Sequence, residues 1–394
     1  MKIILATPVY PPEIGGPATY TKELALRLKD KHEIIIVAYA STSEVIPGTT
    51  LFVASKRRPL PLRLFKFTFD LFRASKGAGV IYVQNAVAAG LPAVFVSYLR
   101  SIPLVLKFVG DEAWERASQE HRTKKRLEEF LANPDGGWRT MLRMMIQGFV
   151  LRHSNIVTTP SSYLRDVIVR TYGIDEERAV VNYNAAEKDI EAPFPVTPIP
   201  HQIVTTARLV EWKGLDGILR AVKILQKQFP DVRAVIAGDG PEEKALKALA
   251  QELGITDRVS LPGRVSRAET WHLRKSSEVY VLNSTYEGLP HTVLTSFAAH
   301  IPTIATDISG TNEAVYDGVS GLLVPAGDDR ALASAIARLF TDQALKARIV
   351  AGADKILAEK FSWETHLKTL LGFFEAAASP TGRVGSRETT RLTV

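Results

Sequence analysis

Asn283-Ser284-Thr285-Tyr286-Glu287-Gly288-Leu289-Pro290-His291-Thr292-Val293-Leu294-Thr295-Ser296-Phe297-Ala298-Ala299-His300-Ile301-Pro302-Thr303-Ile304-Ala305-Thr306 reads as a strand exit, a loop, a helix and a second strand. Val279 to Leu282 supply the short apolar strand before it, and Gly288-Leu289-Pro290 a turn with proline near the first helical position, where its missing N–H costs nothing. Val293, Leu294, Phe297 and Ala298 then recur at helical spacing until Pro302 stops the run. A helix that opens past the carboxyl end of a strand aims unpaired N–H groups and the positive end of its dipole at an anionic ligand. Glu287 stands at the lip of that site. Its carboxylate can accept two hydrogen bonds from vicinal hydroxyls, so a sugar joined to a phosphate satisfies both features; equally, Glu287 can simply favour the helix start.

Outward from this stretch the same alternation repeats. Ile203 to Ala207, Ala234 to Ala237, Val259 to Leu261 and Thr303 to Ala305 form a second set of strands, with Gly238-Asp239-Gly240-Pro241 and Gly263-Arg264 at two of the exits. Gly263 and Arg264 are candidates to line a base. Arg208 and Lys213 flank the loop after the first of these strands, where a guanidinium fork can clamp diphosphate oxygens and an ammonium adds a point charge.

Toward the amino terminus, Lys2 to Ala6, Ile34 to Ala38, Thr50 to Val53, Val80 to Val83, Leu104 to Phe108 and Ile156 to Thr159 are apolar strands separated by helix or turn signals, the last taken as the final strand of its domain. The loop Thr7 to Pro17 carries Gly15-Gly16 just before a helix, so backbone N–H groups there can approach an anion. Asp111, after Val109-Gly110, is placed to start the helix containing Trp114. Arg122 to Arg126 reads as a solvated charge run. Lys56 to Lys76 places Leu62, Phe65, Phe69 and Phe72 on one helical stripe, with seven basic residues and the single acid Asp70. That composition suits a helix lying on an anionic membrane, or a core-facing helix with a solvated basic side.

At 394 residues, with 46% hydrophobic and 23% charged residues, the chain has the make-up of a globular protein of two or three domains. It has no cysteine, which excludes disulfides and thiolate chemistry and fits a cytoplasmic protein. The start goes straight into a strand, without the length of a signal peptide. A net charge of +7 favours anionic partners such as a nucleotide, a phosphoglycan or the inner membrane face; nucleic acid is not expected. Gly77 to Leu99 lacks charge, but Gln84, Asn85, Gly90 and Pro92 argue for strand and helix rather than a membrane span.

Tyr286-Glu287-Gly288-Leu289-Pro290, with Ile301-Pro302-Thr303-Ile304-Ala305-Thr306 behind it, resembles the donor-site signature of the family-4 retaining glycosyltransferases of GT-B fold. The resemblance extends to Gly15-Gly16, Gly110-Asp111, Arg208 with Lys213, Ser309 to Glu313 and the last helix. It implies an α/β fold of two Rossmann-like domains facing across a cleft: 1–185 for the acceptor, a linker at 186–202, 203–360 for a nucleotide sugar, and helix 361–378 packing back on the first domain. Residues 379–394 are expected to be a mobile tail. In the family's terms, Gly15, Gly16, Arg208, Lys213, Glu287, Gly288 and Leu289 belong to the donor site, and the second glutamate that usually holds the ribose is Thr295 here. Val109 replaces the usual cleft histidine, which makes Asp111 the best polar candidate for contacting the acceptor or the transferred sugar.

The implied reaction is transfer from a nucleotide-diphosphate sugar to a glycan or lipid-linked acceptor with retention, Glu287, Arg208, Lys213 and Asp111 being the catalytic candidates. Without an Asp-x-Asp motif or a convincing histidine cluster, no metal or other cofactor is expected. The alternatives are a non-catalytic nucleotide-sugar-binding subunit and an epimerase of the same fold. Location at the inner membrane face as a peripheral protein is expected if the acceptor is lipid-borne.

Overall fold

A computed structural model describes residues 1–13, 15–186 and 196–379. These separate into two compact units, one of Met1–Pro160, Leu164–Asn182 and the chain from Lys368, the other of Ser161–Tyr163 and Tyr183–Leu367.

In chain order the first part runs β1 (Lys2–Thr7), α1 (Gly16–Leu28), β2 (Glu33–Ala40), β3 (Thr50–Ser55), α2 (Leu60–Ala74), β4 (Val80–Gln84), a π-helical turn (Ala86–Gly90), α3 (Leu91–Arg100), β5 (Leu104–Lys107), α4 (Glu112–Gln119), α5 (Leu127–Ala132), α6 (Trp138–His153), β6 (Ile156–Thr159), α7 (Ser162–Tyr172) and β7 (Ala179–Val181). The seven strands make one parallel sheet in the order β3-β2-β1-β4-β5-β6-β7. Ile3, Ile4 and Leu5 are shielded whichever way they point, as continuous apolar runs are when helices cover both faces of a parallel sheet. The edge strand β7 adds to the strands expected from the sequence, which end this sheet at Ile156–Thr159. Its three residues are too few for a period to show.

The second part runs β8 (Ile199–Thr206), α8 (Leu215–Leu225), β9 (Arg233–Ala237), α9 (Glu243–Glu252), β10 (Val259–Gly263), α10 (Arg267–Lys275), β11 (Ser277–Leu282), α11 (His291–Ala298), β12 (Thr303–Thr306), β13 (Leu322–Val324), α12 (Asp329–Thr341), α13 (Gln343–Lys360) and α14 (Trp363–Ala378). Its six parallel strands are ordered β10-β9-β8-β11-β12-β13. Alternate residues feed two cores: Ile203, Ile236, Val279, Val281 and Ile304 face α8 and α12, whereas Val204, Tyr280, Leu282 and Ala305 face Trp271 of α10 and Val293, Leu294 and Phe297 of α11.

Residues 187–195 of the expected linker and 380–394 of the expected tail lie outside the described residues. β8 starts at Ile199, inside the span read as linker, because the two prolines that argued against a strand, Pro198 and Pro200, sit at its entry. From Lys368, α14 belongs to the first unit, where Phe374 is fully buried with its ring 5.2 Å from that of Tyr82 in β4. Gly77 to Leu99 forms β4, the π turn and α3, and no described helix is long and apolar enough to cross a membrane.

Two side-chain placements decide between the alternatives that the sequence left open. In α2 it is Phe67 and Leu71 that enter the core, while Leu62, Phe65 and Phe69 of the apolar stripe are exposed, Phe65 by 72%. The stripe therefore does not face the core. Asp111 is wholly buried: one oxygen caps α4 by accepting the Trp114 N–H at 2.9 Å, and the other accepts from Gln147 Nε2 at 2.7 Å and the Tyr172 hydroxyl at 2.5 Å. Burial pushes this carboxyl above the usual range while those hydrogen bonds act against the rise. This geometry excludes an acceptor contact through Asp111 and bears out the other reading, a residue that starts the helix containing Trp114, here also tying α4 to α6 and α7.

Asp111→Ala removes the cap and leaves Gln147 and Tyr172 short of an acceptor, for an expected loss of about 3 kcal/mol in urea unfolding. A change under about 0.5 kcal/mol would contradict this role.

Candidate functional site

In the second unit the chain winds outward from β8 through β9 to β10, then returns to β8's other side and winds outward again through β11, β12 and β13. The reversal leaves a crevice at the carboxyl ends of β8 and β11, where doubly wound sheets bind ligands. Arg208 and Lys213 lie beyond β8, and Glu287 lies beyond β11.

Lys213, on a short 3₁₀ turn, reaches across so that its Nζ lies 2.6 Å from Glu287 Oε1. Ser284 Oγ donates to that same oxygen at 2.7 Å. No described residue hydrogen-bonds Oε2, so half of the carboxylate's acceptor capacity remains for a ligand. Glu287 is 8% exposed, and burial at this level leaves a carboxylate dependent on its partners.

Backbone contacts fix this pair in place. Thr285 N–H donates to the Trp212 carbonyl at 2.8 Å, and Asn283 Nδ2 to the Gly214 carbonyl at 2.7 Å, joining the β11 exit to the β8 exit. Two glycines make the approach feasible. A Cβ on Gly214 (φ +57°) would lie 2.2 Å from the Asn283 carbonyl oxygen, and one on Gly310 (φ +84°) 2.3 Å from that of Glu287. The β8 exit is also tied to its other neighbour, Leu209 N–H donating to the Asp239 carbonyl at 2.8 Å.

Around this centre the expected residues are distributed unevenly. Arg208 is exposed on the same loop as Lys213, where its fork is accessible. Gly288 adjoins Gly310, whereas the Leu289 side chain is in the core and can offer a ligand only its backbone. α11 begins after Pro290 without a side-chain cap, leaving its terminus to backbone and ligand. Thr295, one turn in, is buried and donates its hydroxyl proton to the His291 carbonyl at 2.9 Å, so only its lone pairs remain for a ribose. Gly263 ends β10 and accepts from Gly238 N–H at 2.9 Å, and Arg264 is exposed, 4.0 Å from Asp239.

Gly15 and Gly16 belong to the first unit. Gly15 precedes α1 and its carbonyl accepts from Ala18 and Thr19, but a Cβ on Gly16 would meet nothing within 4 Å, so protein packing does not explain these glycines.

Ser284 and Arg274 escaped the sequence reading. Arg274 is buried on α10, its Nη2 bonded to Thr206 Oγ1 at the end of β8 and its Nε to Ser296 of α11. An arginine in a polar, charged helix gives no signal of burial; Ser284 could have been found as the polar residue directly beyond an apolar strand exit.

Two doubly wound units, with paired opposite charges at the reversal of the second, define an α/β protein of GT-B type. A model of the glycosyl transferase 4-like domain matches residues 15–185, and one of glycosyl transferases group 1 matches 189–356. The chain belongs to the group 1 glycosyltransferases of GT-B fold. It is 34% identical over 173 residues to the lipopolysaccharide core biosynthesis glycosyltransferase LpsD of Rhizobium meliloti, covering 44% of this chain and 49% of that protein. It is 23% identical over 389 residues to the alpha-monoglucosyldiacylglycerol synthase of Streptococcus pneumoniae, covering 93% and 85%. Several of the curated relatives match over only about half their length, as LpsD does. In fold it is similar to Anabaena HepE solved with UDP and glucose, with a TM-score of 0.73, 18% identity and coverage of 95% and 100%.

Gly310→Ala is expected to cost about 1–3 kcal/mol of stability and to weaken nucleotide diphosphate binding, because the new Cβ displaces the Glu287 backbone. Gly16→Ala should change stability by less than about 0.5 kcal/mol. Thermal unfolding of both variants checks the contrast, and equal losses would contradict it.

Proposed function

We propose that the chain transfers a hexose from a nucleotide-diphosphate sugar to a lipid-linked glycan acceptor with retention of configuration and without a metal ion. The observation that carries this reading is the Lys213–Glu287 pair at the reversal of the second sheet, with Arg208 on the same loop. Arg208, Lys213 and the start of α11 would neutralise the departing diphosphate. The departing phosphate takes the acceptor proton on the face it leaves, and the acceptor oxygen forms its bond to the anomeric carbon on that same face. Glu287 orients sugar hydroxyls through Oε2 and favours positive charge developing on the ring. Metal independence is supported by the chain's own cations, Arg208 and Lys213, on the loop beyond β8.

UDP is the first nucleotide to test, since HepE was solved with it and with UDP-glucose. The names of LpsD and of the diacylglycerol-directed synthase support a lipid-borne acceptor, as does the exposed apolar stripe of α2 among basic residues.

Purified protein incubated with UDP-, GDP- and ADP-sugars should hydrolyse one of them slowly, and Glu287→Gln should lower that rate by about a hundredfold. An unaltered rate would remove Glu287 from the mechanism. Binding of a donor without any loss of it would favour the non-catalytic subunit.

At low salt the protein should also co-sediment with phosphatidylglycerol vesicles, and phosphatidylcholine vesicles or high salt should release it. No association at low salt would point to a soluble acceptor.

A further inference from the structure

The first unit contains a cavity of about 1430 Å³, larger than ordinary small-molecule sites of about 300–1,000 Å³. It opens at the carboxyl end of the sheet, where Val9 lies beyond β1 and Asn85 beyond β4, the two strands at which this sheet reverses. Its walls come from α2, α3 and α6, and Leu64, Val87, Leu91, Phe95, Ile146 and Phe149 make them predominantly apolar. Lys56, Arg63, Thr68 and His153 also line it, but apolar walls dominate. A hydrocarbon chain would remove them from water at about 25 cal/mol per Å².

A separate group of polar residues lines the same cavity. Glu112 accepts from Asn85 Nδ2 at 2.5 Å, and burial raises its carboxyl above the usual range. Arg116 and Arg143 also line the cavity; Arg143 Nη2 lies 3.8 Å from Glu120 Oε1, while its Nη1 is buried without a hydrogen-bond partner. A guanidinium nitrogen left in that state is costly, and an anionic oxygen is its natural complement. The three wall helices meanwhile present exposed apolar side chains, including Phe65 on α2, Tyr98 on α3 and Met145 on α6. Arg100 covers the Phe72 ring at 3.8 Å, so basic groups are interleaved with this apolar surface.

We propose that this cavity is the site of a lipid phosphate, its hydrocarbon chain lying along the walls of α2, α3 and α6 and its phosphate engaging Arg116 and Arg143. The assignment deepens the proposed transfer reaction by giving its acceptor a chemical class, a sugar-bearing lipid phosphate, and it rests on that reading.

The test uses the full chain and farnesyl phosphate, kept below its micelle concentration and titrated by calorimetry beside farnesol and inorganic phosphate. Farnesyl phosphate should bind saturably, about tenfold or more tighter than farnesol, and inorganic phosphate should give no measurable heat. Arg143→Gln should erase most of the difference between farnesyl phosphate and farnesol. Leu64→Trp and Ile146→Trp, which fill the cavity from different helices, should each weaken both ligands about tenfold or more; only variants whose thermal unfolding remains cooperative are scored. No saturable binding, or binding indifferent to all three substitutions, would overturn the assignment. Donor hydrolysis is measured on the same preparation. Donor turnover without farnesyl phosphate binding sinks the cavity assignment alone; cavity binding with no donor bound from the UDP, GDP and ADP panel sinks the transferase reading and leaves the lipid phosphate site standing.

Discussion

A single ion pair, Lys213 with Glu287, organises the second unit's functional edge. Its partners are separated by 74 residues of sequence and meet because two strands that leave the sheet's centre in opposite topological directions are neighbours within it. The carboxylate of this pair is largely withdrawn from water while the ammonium is only partly so, and such pairs add little stability of their own. The neighbouring loops are nevertheless built around the contact. Gly214 and Gly310 admit backbone carbonyls at distances no side chain tolerates, and hydrogen bonds from Thr285 and Asn283 fasten one loop to the other. A Cβ at Gly214 would meet the Asn283 carbonyl and one at Gly310 the Glu287 carbonyl, so both positions bear on the loop that carries the carboxylate.

Much of this was legible in the sequence, for a physical reason. Buried parallel strands need uninterrupted apolar runs, and ligand sites on such sheets lie just past their ends, so Arg208, Lys213 and Glu287 could be located as charged residues a few positions beyond Thr206 and Leu282. The missing information was direction. Leu289 and Thr295 lie in the expected stretch, but one side chain is in the core and the other bonds back to its own helix. Periodicity over so short a helix does not distinguish a ligand-facing position from one that packs.

In the first unit the structure decides between readings that the sequence left open at two places. Asp111, the polar residue that drew attention, is consumed by structure, since a carboxylate that caps one helix and binds side chains from two others has nothing left to offer. The α2 stripe, which resembled a core face, is exposed instead, because Phe67 and Leu71 already fill the contact with the sheet. Both outcomes have the same source: a sequence shows what a residue is able to do, while the packing of neighbouring helices decides which ability is used. The apolar surface left over on α2, α3 and α6 surrounds a large cavity, the one proposed above to take a lipid phosphate.

The most direct test of the central claim is a crystal structure of the protein with UDP, or with whichever nucleotide its donor carries. The account predicts diphosphate oxygens within hydrogen-bond distance of Arg208 and Lys213 at the exit of β8, with Glu287 at the distal phosphate, where the sugar attaches. A nucleotide bound elsewhere, with the Lys213–Glu287 pair buried and untouched, would contradict it.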